Sequence, residues 1–256
     1  MLNAILRSKS GRLRVGDEIS ISWRELFRAN EDLVSATILE RLSYLTPATA
    51  WTLLVEAASG QLPFYRTAQL NGIDFWPIWA TDNRQRGVEP DAFIQLELGD
   101  PAIKMHIIVE AKRGGHQNLG QWANEIGGWV ENTDDEMPDH LVLLALGGNA
   151  DTRQRDEMRQ QFLSSMRAHH SRLPKLSLAM IEWHDIARAC TVLTALPDHE
   201  KRIVADIAEG LALCGHYHLV TPRQLEKLKP LRFPDASLNK LTAINERIAR
   251  QSAGHD

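Results

Sequence analysis

Residues 89–121 read EPDAFIQLELGDPAIKMHIIVEAKRGGHQNLGQ, and the rest of the chain is arranged around them. The stretch opens with an acidic residue, runs through an apolar strand and reverses at Gly99-Asp100-Pro101. It returns through a second strand that ends in Glu110-Ala111-Lys112, and a glutamine-bearing helix follows. Side chains alternate between the two faces of a strand. Asp91, Phe93, Gln95 and Glu97 therefore share one face of the first strand, and Ile94, Leu96 and Leu98 the other. In the second, Lys104, His106, Ile108, Glu110 and Lys112 oppose Met105, Ile107 and Val109. The hairpin so formed has one largely apolar side and one side carrying two carboxylates and an amine.

Those three groups suit one kind of chemistry. Two carboxylates converging at a strand end offer hard oxygen ligands to Mg²⁺, which keeps several waters and takes one or two carboxylates plus substrate phosphate. Such an ion acidifies a bound water and polarises a phosphoryl oxygen. A lysine two residues beyond the second carboxylate lies on the same strand face. There it can orient or deprotonate the attacking water and offset charge on the phosphate. Asp91, Glu110 and Lys112 are a sufficient set for metal-assisted phosphodiester hydrolysis.

Pro90-Asp91 followed, one hairpin later, by Glu110-Ala111-Lys112 at the end of an apolar strand resembles the PD-(D/E)XK nuclease superfamily, the restriction-endonuclease-like fold. Pro-Asp occurs four times, at 90, 138, 197 and 234, whereas an acidic residue two before a lysine occurs once, at Glu110. Only the first Pro-Asp precedes that pair. The resemblance implies that Asp91, Glu110 and the Ala111 carbonyl hold Mg²⁺, with Mn²⁺ able to substitute, and that Lys112 serves the water. It implies two further residues. An acidic side chain of the N-terminal helix often faces the metal, with Glu31 the first candidate and Glu40 the second. A glutamine on the helix after the lysine strand often supports the site, with Gln121 the best match and Gln117 behind it.

At 256 residues, 43% hydrophobic and 24% charged, the chain has ordinary globular composition and is long enough for one sizeable core. A net charge of −4 and a pI near 6.2 advertise no global affinity for nucleic acid, so a nuclease of this balance concentrates its positive charge locally. Cys190 and Cys214 lack metal or redox spacing, which fits a reducing cytoplasm. The opening MLNAILRSKSGRLRV has no apolar h-region and no stretch approaches a membrane span, so a soluble cytoplasmic protein is expected. No Gly-x-x-x-x-Gly-Lys-Ser/Thr, Gly-x-Ser-x-Gly or His-Glu-x-x-His occurs. That removes ATP hydrolysis and the commonest serine and zinc hydrolase readings.

Residues 1–22 are polar and basic, with Arg7, Lys9, Arg12 and Arg14, and read as a solvated tail or first hairpin able to contact phosphate. A helix is expected from Ser22, opened by the capping box Ser22-Trp23-Arg24-Glu25, its apolar positions recurring to Leu45 before Pro47 interrupts. Ala48 to Ala58 form a second helix. Gly72 to Ala80 read as a strand, with Pro77 marking an edge or a bulge, and 81–89 as a loop whose Arg84 and Arg86 can reach phosphate. A helix from about Asn118 to Val130 leads to an acidic loop at 131–139 and a strand buried on both faces at His140–Gly147. A helix from Asp151, a strand at Leu176–Ile181 and a helix to about Leu196 complete the core. Beyond Pro197 the chain reads as helix with breaks. Asp198 or His199 caps the first piece, His216 and His218 are exposed turn histidines, and a final amphipathic helix starts near Ser237.

An antiparallel meander followed by βα alternation gives an α/β fold. It matches the restriction-endonuclease-like αβββαβ core that the resemblance implies, a mixed central sheet flanked by helices over residues 23–196. A basic N-terminal arm over 1–22 and a helical C-terminal extension over 197–256 flank it. The implied protein is a Mg²⁺-dependent nuclease acting on DNA, with RNA left open, of the kind found in restriction, repair, mobile-element or phage-defence systems. Such a chain carries no motor, so partner proteins would supply targeting or ATPase activity, and a homodimer is compatible. Two other readings stand beside it. One is a catalytically silent nucleic-acid-binding or scaffold subunit on the same fold. The other is a structural α/β protein in which Glu110 and Lys112 form a strand-surface ion pair, with Asp91 far from Glu110.

Overall fold

The computed structural model describes residues 2–15, 19–81, 84–133, 137–149, 151–170 and 172–217. His218, the helix expected near Ser237 and the side chains of Arg84 and Arg86 lie outside the described residues. The chain opens with α1 (Leu2–Leu6) and the hairpin β1 (Arg12–Val15) and β2 (Ile19–Ser22). The expected basic arm is thus folded, and Leu2 and Ile5 are buried in the main core. Ser22 closes its capping box: its hydroxyl accepts the Glu25 N–H at 3.1 Å, while Glu25 Oε2 accepts the Ser22 N–H at 2.7 Å. The helix it opens, α2 (Trp23–Ala29), is short. Asn30 leaves the helical region, and its side chain accepts the Leu33 N–H at 2.9 Å to start α3 (Glu31–Ser43). The single helix expected from Ser22 is therefore two, because an asparagine side chain competes with the helix for backbone donors. Pro47 then sits at the first position of α4 (Pro47–Ala58), where its missing N–H costs nothing.

The edge strand β3 (Ala68–Phe75) lies earlier than the 72–80 expected and stops before Pro77, which has no N–H for the ladder. The end of that expected strand and part of the expected 81–89 loop pair with each other instead, as β4 (Trp79–Thr81) with β5 (Arg84–Val88). Then come β6 (Ala92–Leu98), β7 (Ile103–Ala111), α5 (Leu119–Asn132), β8 (His140–Leu146), α6 (Thr152–His169), β9 (Lys175–Ile181), α7 (Trp183–Val192) and α8 (Asp198–Leu213). Pro197, rather than Asp198 or His199, is the N-cap residue of α8.

β3, β6, β7, β8 and β9 form one sheet in that order, antiparallel through β7 and parallel beyond. The protein is α/β, with a mixed five-stranded sheet flanked by helices. Strand alternation sorts the core into two layers. Ile94, Leu96, Ile107, Val109, Val142 and Leu144 pack against α3, α4, α7 and α8. Phe93, Ile108, Leu141, Leu143, Leu176 and Leu178 pack against Trp122 and Trp129 of α5 and Phe162 of α6. Both faces of the β6–β7 hairpin thus pack against helices, and Asp91, Glu110 and Lys112 gather at one end of its strands. Trp51, Trp122, Trp129 and Trp183 are fully buried; removing any one indole costs ~3–5 kcal/mol.

The sheet edge at β9 is closed by a side chain. Gln61 Nε2 donates to the Met180 carbonyl and its Oε1 accepts the Met180 N–H, both at 2.9 Å, as a neighbouring strand would. The helix expected to open a C-terminal extension also belongs to the core, with Val204, Ile207 and Leu211 of α8 buried there. Glu200 of α8 accepts the Thr46 N–H at 2.8 Å and the Thr49 hydroxyl at 3.0 Å, capping α4, whose own Thr46 makes no side-chain cap. Among the described residues no helix is long and apolar enough to cross a membrane.

Candidate functional site

The site forms where β6 begins and β7 ends. Their register pairs Ala92 with Val109, which brings Asp91 level with the peptide following Glu110. Asp91 donates its N–H to the Val109 carbonyl at 3.0 Å and accepts the Ala111 N–H on Oδ2 at 2.7 Å. Glu110 is 2% exposed and lies on the same sheet face. The two carboxylates therefore converge, and the arrangement with Asp91 far from Glu110 does not occur.

Lys112 stands one residue past the strand, and its Nζ forms an ion pair with Glu110 Oε1. Its backbone is held on both sides. The Lys112 N–H donates to the Leu146 carbonyl at 2.7 Å, and its carbonyl accepts the Trp183 indole N–H at 2.9 Å. Gly147, at φ +73°, runs so close that a Cβ there would strike the Lys112 carbonyl and the Trp183 indole. Glycine is what lets the β8 end clamp the lysine.

The helix break at Asn30 places Glu31 in the first turn of α3. Glu31 Oε2 accepts the backbone N–H groups of Arg113 and Gly114, and its Oε1 lies 3.9 Å from Lys112 Nζ. Glu40, further along the helix, instead accepts the Tyr44 hydroxyl at 2.7 Å on the surface. Only Glu31 of these two joins the site.

The two glutamines divide the work. Gln117 is buried; its Nε2 donates to the carbonyls of Glu110 at 3.1 Å and Gly147 at 2.9 Å, while its Oε1 accepts the Trp122 indole N–H at 2.8 Å. It fixes the β7 end to the β8 end. Gln121 lines an open depression of about 460 Å³ together with Glu31, Asp32, Trp76, Glu89, Asp91, Glu110 and Lys112.

One participant was not anticipated. Glu125 is 1% exposed, and no donor from another residue reaches either carboxyl oxygen. Burial, then the Glu110 charge, pushes its pKa up to about 10, so at neutral pH it is the carboxylic acid and its own O–H is available to Glu110. The signal was there to read: Trp122, Ile126 and Trp129 are the packing stripe of α5, and position 125 falls within it.

Burial likewise raises Asp91 to about 7, opposed by the Ala111 N–H and reinforced by Glu110. Lys112 moves the other way from what burial alone would do. Burial favours its neutral amine, but Glu110, Glu31 and Asp91 together hold its pKa above the usual value. A cluster of oxygens that carries protons in order to coexist is one that a divalent cation suits. Among the described residues no three such groups close around one point, since Lys112 and the Ala111 N–H engage Glu110 and Asp91. The hard-oxygen donors Asp91, Glu110 and Glu31 around the depression nevertheless fit Mg²⁺ or Mn²⁺ in their chemistry.

No family model matches the chain, and no solved structure matches it. It is similar to an uncharacterized protein of Pasteurella multocida (strain Pm70), 28% identical over 243 residues that cover 92% of this chain and 86% of the other.

Proposed function

We propose that this protein is a metal-dependent phosphodiester hydrolase acting on nucleic acid, DNA foremost, with its mixed sheet serving as a PD-(D/E)XK nuclease core. The observation that carries the reading is the meeting of Asp91, Glu110 and Lys112 at one end of the β6–β7 hairpin, with Glu31 and Gln121 lining the same depression. Asp91, Glu110, the Ala111 carbonyl and Glu31 would hold Mg²⁺, and Mn²⁺ would substitute for it. When bound, the ion supplies Lewis acidity toward the phosphoryl oxygen and acidifies a water.

The chain's own groups do the rest. Lys112 is an ammonium at neutral pH, so it donates hydrogen bonds and offsets negative charge on the phosphate rather than starting as a base. Gln117 and the Trp183 indole keep the peptides around Glu110 and Lys112 fixed, which preserves the geometry of attack. Gln121 contacts the water or the phosphate from the α5 side. The chain's place in a restriction, repair, mobile-element or phage-defence system would be set by partner proteins, and cutting both strands of a duplex would call for a homodimer.

The test is cleavage of plasmid and linear DNA by purified protein in Mg²⁺, Mn²⁺ or EDTA, beside Asp91→Ala and Lys112→Ala. Metal-dependent cutting that both substitutions abolish is expected. Cutting that survives EDTA, or that ignores Asp91→Ala, contradicts the reading. No cutting by wild type, with no metal bound at millimolar concentration, favours a silent subunit on the same fold, whereas metal binding without cutting points to a nuclease that needs its partner.

A further inference from the structure

Trp76 is out of place in purely structural terms. It follows the last residue of β3, and its N–H donates to the Asp91 carbonyl at 3.3 Å, so it stands across from the first carboxylate. Its φ is +50°, in the left-handed region. Among the described non-glycine residues only Ser8 and Ser59 share that region, and both are small, whereas a bulky side chain there is a true outlier. The strain does not take Trp76 into the core: its ring lies 5.9 Å from that of Phe75, yet the residue stays 38% exposed. A strained residue whose side chain keeps an exposed part points to a role at that surface.

The surface in question is the carboxylate–lysine depression, which Trp76 lines together with Asp91, Glu110, Lys112 and Gln121. Resting on the nuclease reading of that depression, we infer that Trp76 is the stacking platform for a base beside the scissile phosphate, and that the substrate is nucleic acid with an unpaired nucleotide there. An aromatic face binds any base by stacking, whatever its sequence. In a duplex both faces of a base are covered by its neighbours, so only a single strand, a frayed end, a flap or a flipped nucleotide can place one on the indole. Phosphate and base of one nucleotide are then held within the same depression, the phosphate by Lys112 and bound metal, the base by Trp76.

The test is equilibrium binding of one fluorescein-labelled oligonucleotide, single-stranded and as its duplex, in Ca²⁺ to hold off cleavage. Wild type is compared with Trp76→Ala and Trp76→Phe, and Mn²⁺ binding is measured in parallel as a check on the site. Wild type is expected to prefer the single strand. Trp76→Ala should weaken single-strand binding by about 5- to 150-fold, the range for one stacked base, and Trp76→Phe should restore most of it. Duplex affinity and Mn²⁺ binding should stay put. Single-strand binding that is absent in wild type or unchanged in Trp76→Ala overturns the inference. Those outcomes leave the nuclease reading standing as long as wild type binds Mn²⁺ and cuts DNA, whereas failure of both in wild type sinks that reading itself.

Discussion

Asp91 Oδ2 lies 2.7 Å from the Ala111 backbone nitrogen, so the carboxylate that opens β6 is bonded to the peptide that follows Glu110. The bond has two consequences that separate on substitution. Asp91→Asn keeps a carbonyl oxygen to accept the N–H but removes the ligand charge. It should melt at or above wild type near pH 7, because burial that raises the Asp91 pKa costs the folded state there, while cleavage falls on the order of 10²–10³-fold, as when a single transition-state contact is removed. Asp91→Ala should lose cleavage as well, and should be about 1–3 kcal/mol less stable than Asp91→Asn for the orphaned N–H. Urea unfolding beside a cleavage assay distinguishes the two.

Gln117 and Gln121 should behave oppositely. Gln117→Ala strands the Glu110 and Gly147 carbonyls and the Trp122 indole N–H inside the protein. A loss of about 2–4 kcal/mol is expected, read as a shift in urea midpoint. Gln121→Ala, on the wall of an open depression, should change stability by no more than about 0.5 kcal/mol yet lower cleavage at saturating metal.

Glu125 gives a pH signature. Its folded pKa of about 10 stands above the ordinary carboxyl value that it has in the unfolded chain. Between those values the folded protein keeps a proton that the unfolded chain releases, so its contribution is present in full at low pH and is lost as pH rises toward 10. Glu125→Gln removes that slope. Melting temperatures without metal should match wild type near pH 4 and exceed it near pH 8–9; a constant gap across the range would be the wrong outcome.

Glu200 shows the reverse sign. Burial raises its pKa, but the Thr46 N–H and the Thr49 hydroxyl outweigh that and hold it below the usual carboxylate range. Its stabilisation is therefore present above the unfolded pKa and lost as the pH falls through the folded one. Glu200→Ala should cost about 1–3 kcal/mol at pH 7, with the difference from wild type shrinking in urea melts at pH 3 to 4.

What could be read in advance was whatever local periodicity fixes. The two-residue repeat along 91–112 placed Asp91, Glu110 and Lys112 on one face, and the register Phe93–Ile108 and Gln95–His106 is the pairing that alternation requires. The β8 strand declared itself by an unbroken apolar run. What stayed hidden depends on distant partners. The β4–β5 ribbon has no apolar alternation through Arg84-Gln85-Arg86. It is anchored by burial of Trp79 beside Gly128 of α5 and by Asn132 Nδ2 donating to the Ala80 carbonyl at 2.7 Å. Glu200 gives no local signal, because the threonines it binds at the start of α4 lie more than 150 residues earlier. Asn30 reads as a break only once its side chain is seen on the Leu33 N–H. Glu125 alone was legible and passed over, since a carboxylate inside an apolar helical stripe is itself the anomaly.

The most direct measurement is Mn²⁺ binding by titration calorimetry, with wild type set beside Glu110→Gln. Saturable binding at submillimolar metal, weakened about 10-fold or more by the substitution, is the expected result for a ligand at the centre of the site. Wild type that takes up no Mn²⁺ at millimolar concentration, or binding indifferent to Glu110→Gln, would contradict a metal-dependent phosphodiesterase built on Asp91, Glu110 and Lys112.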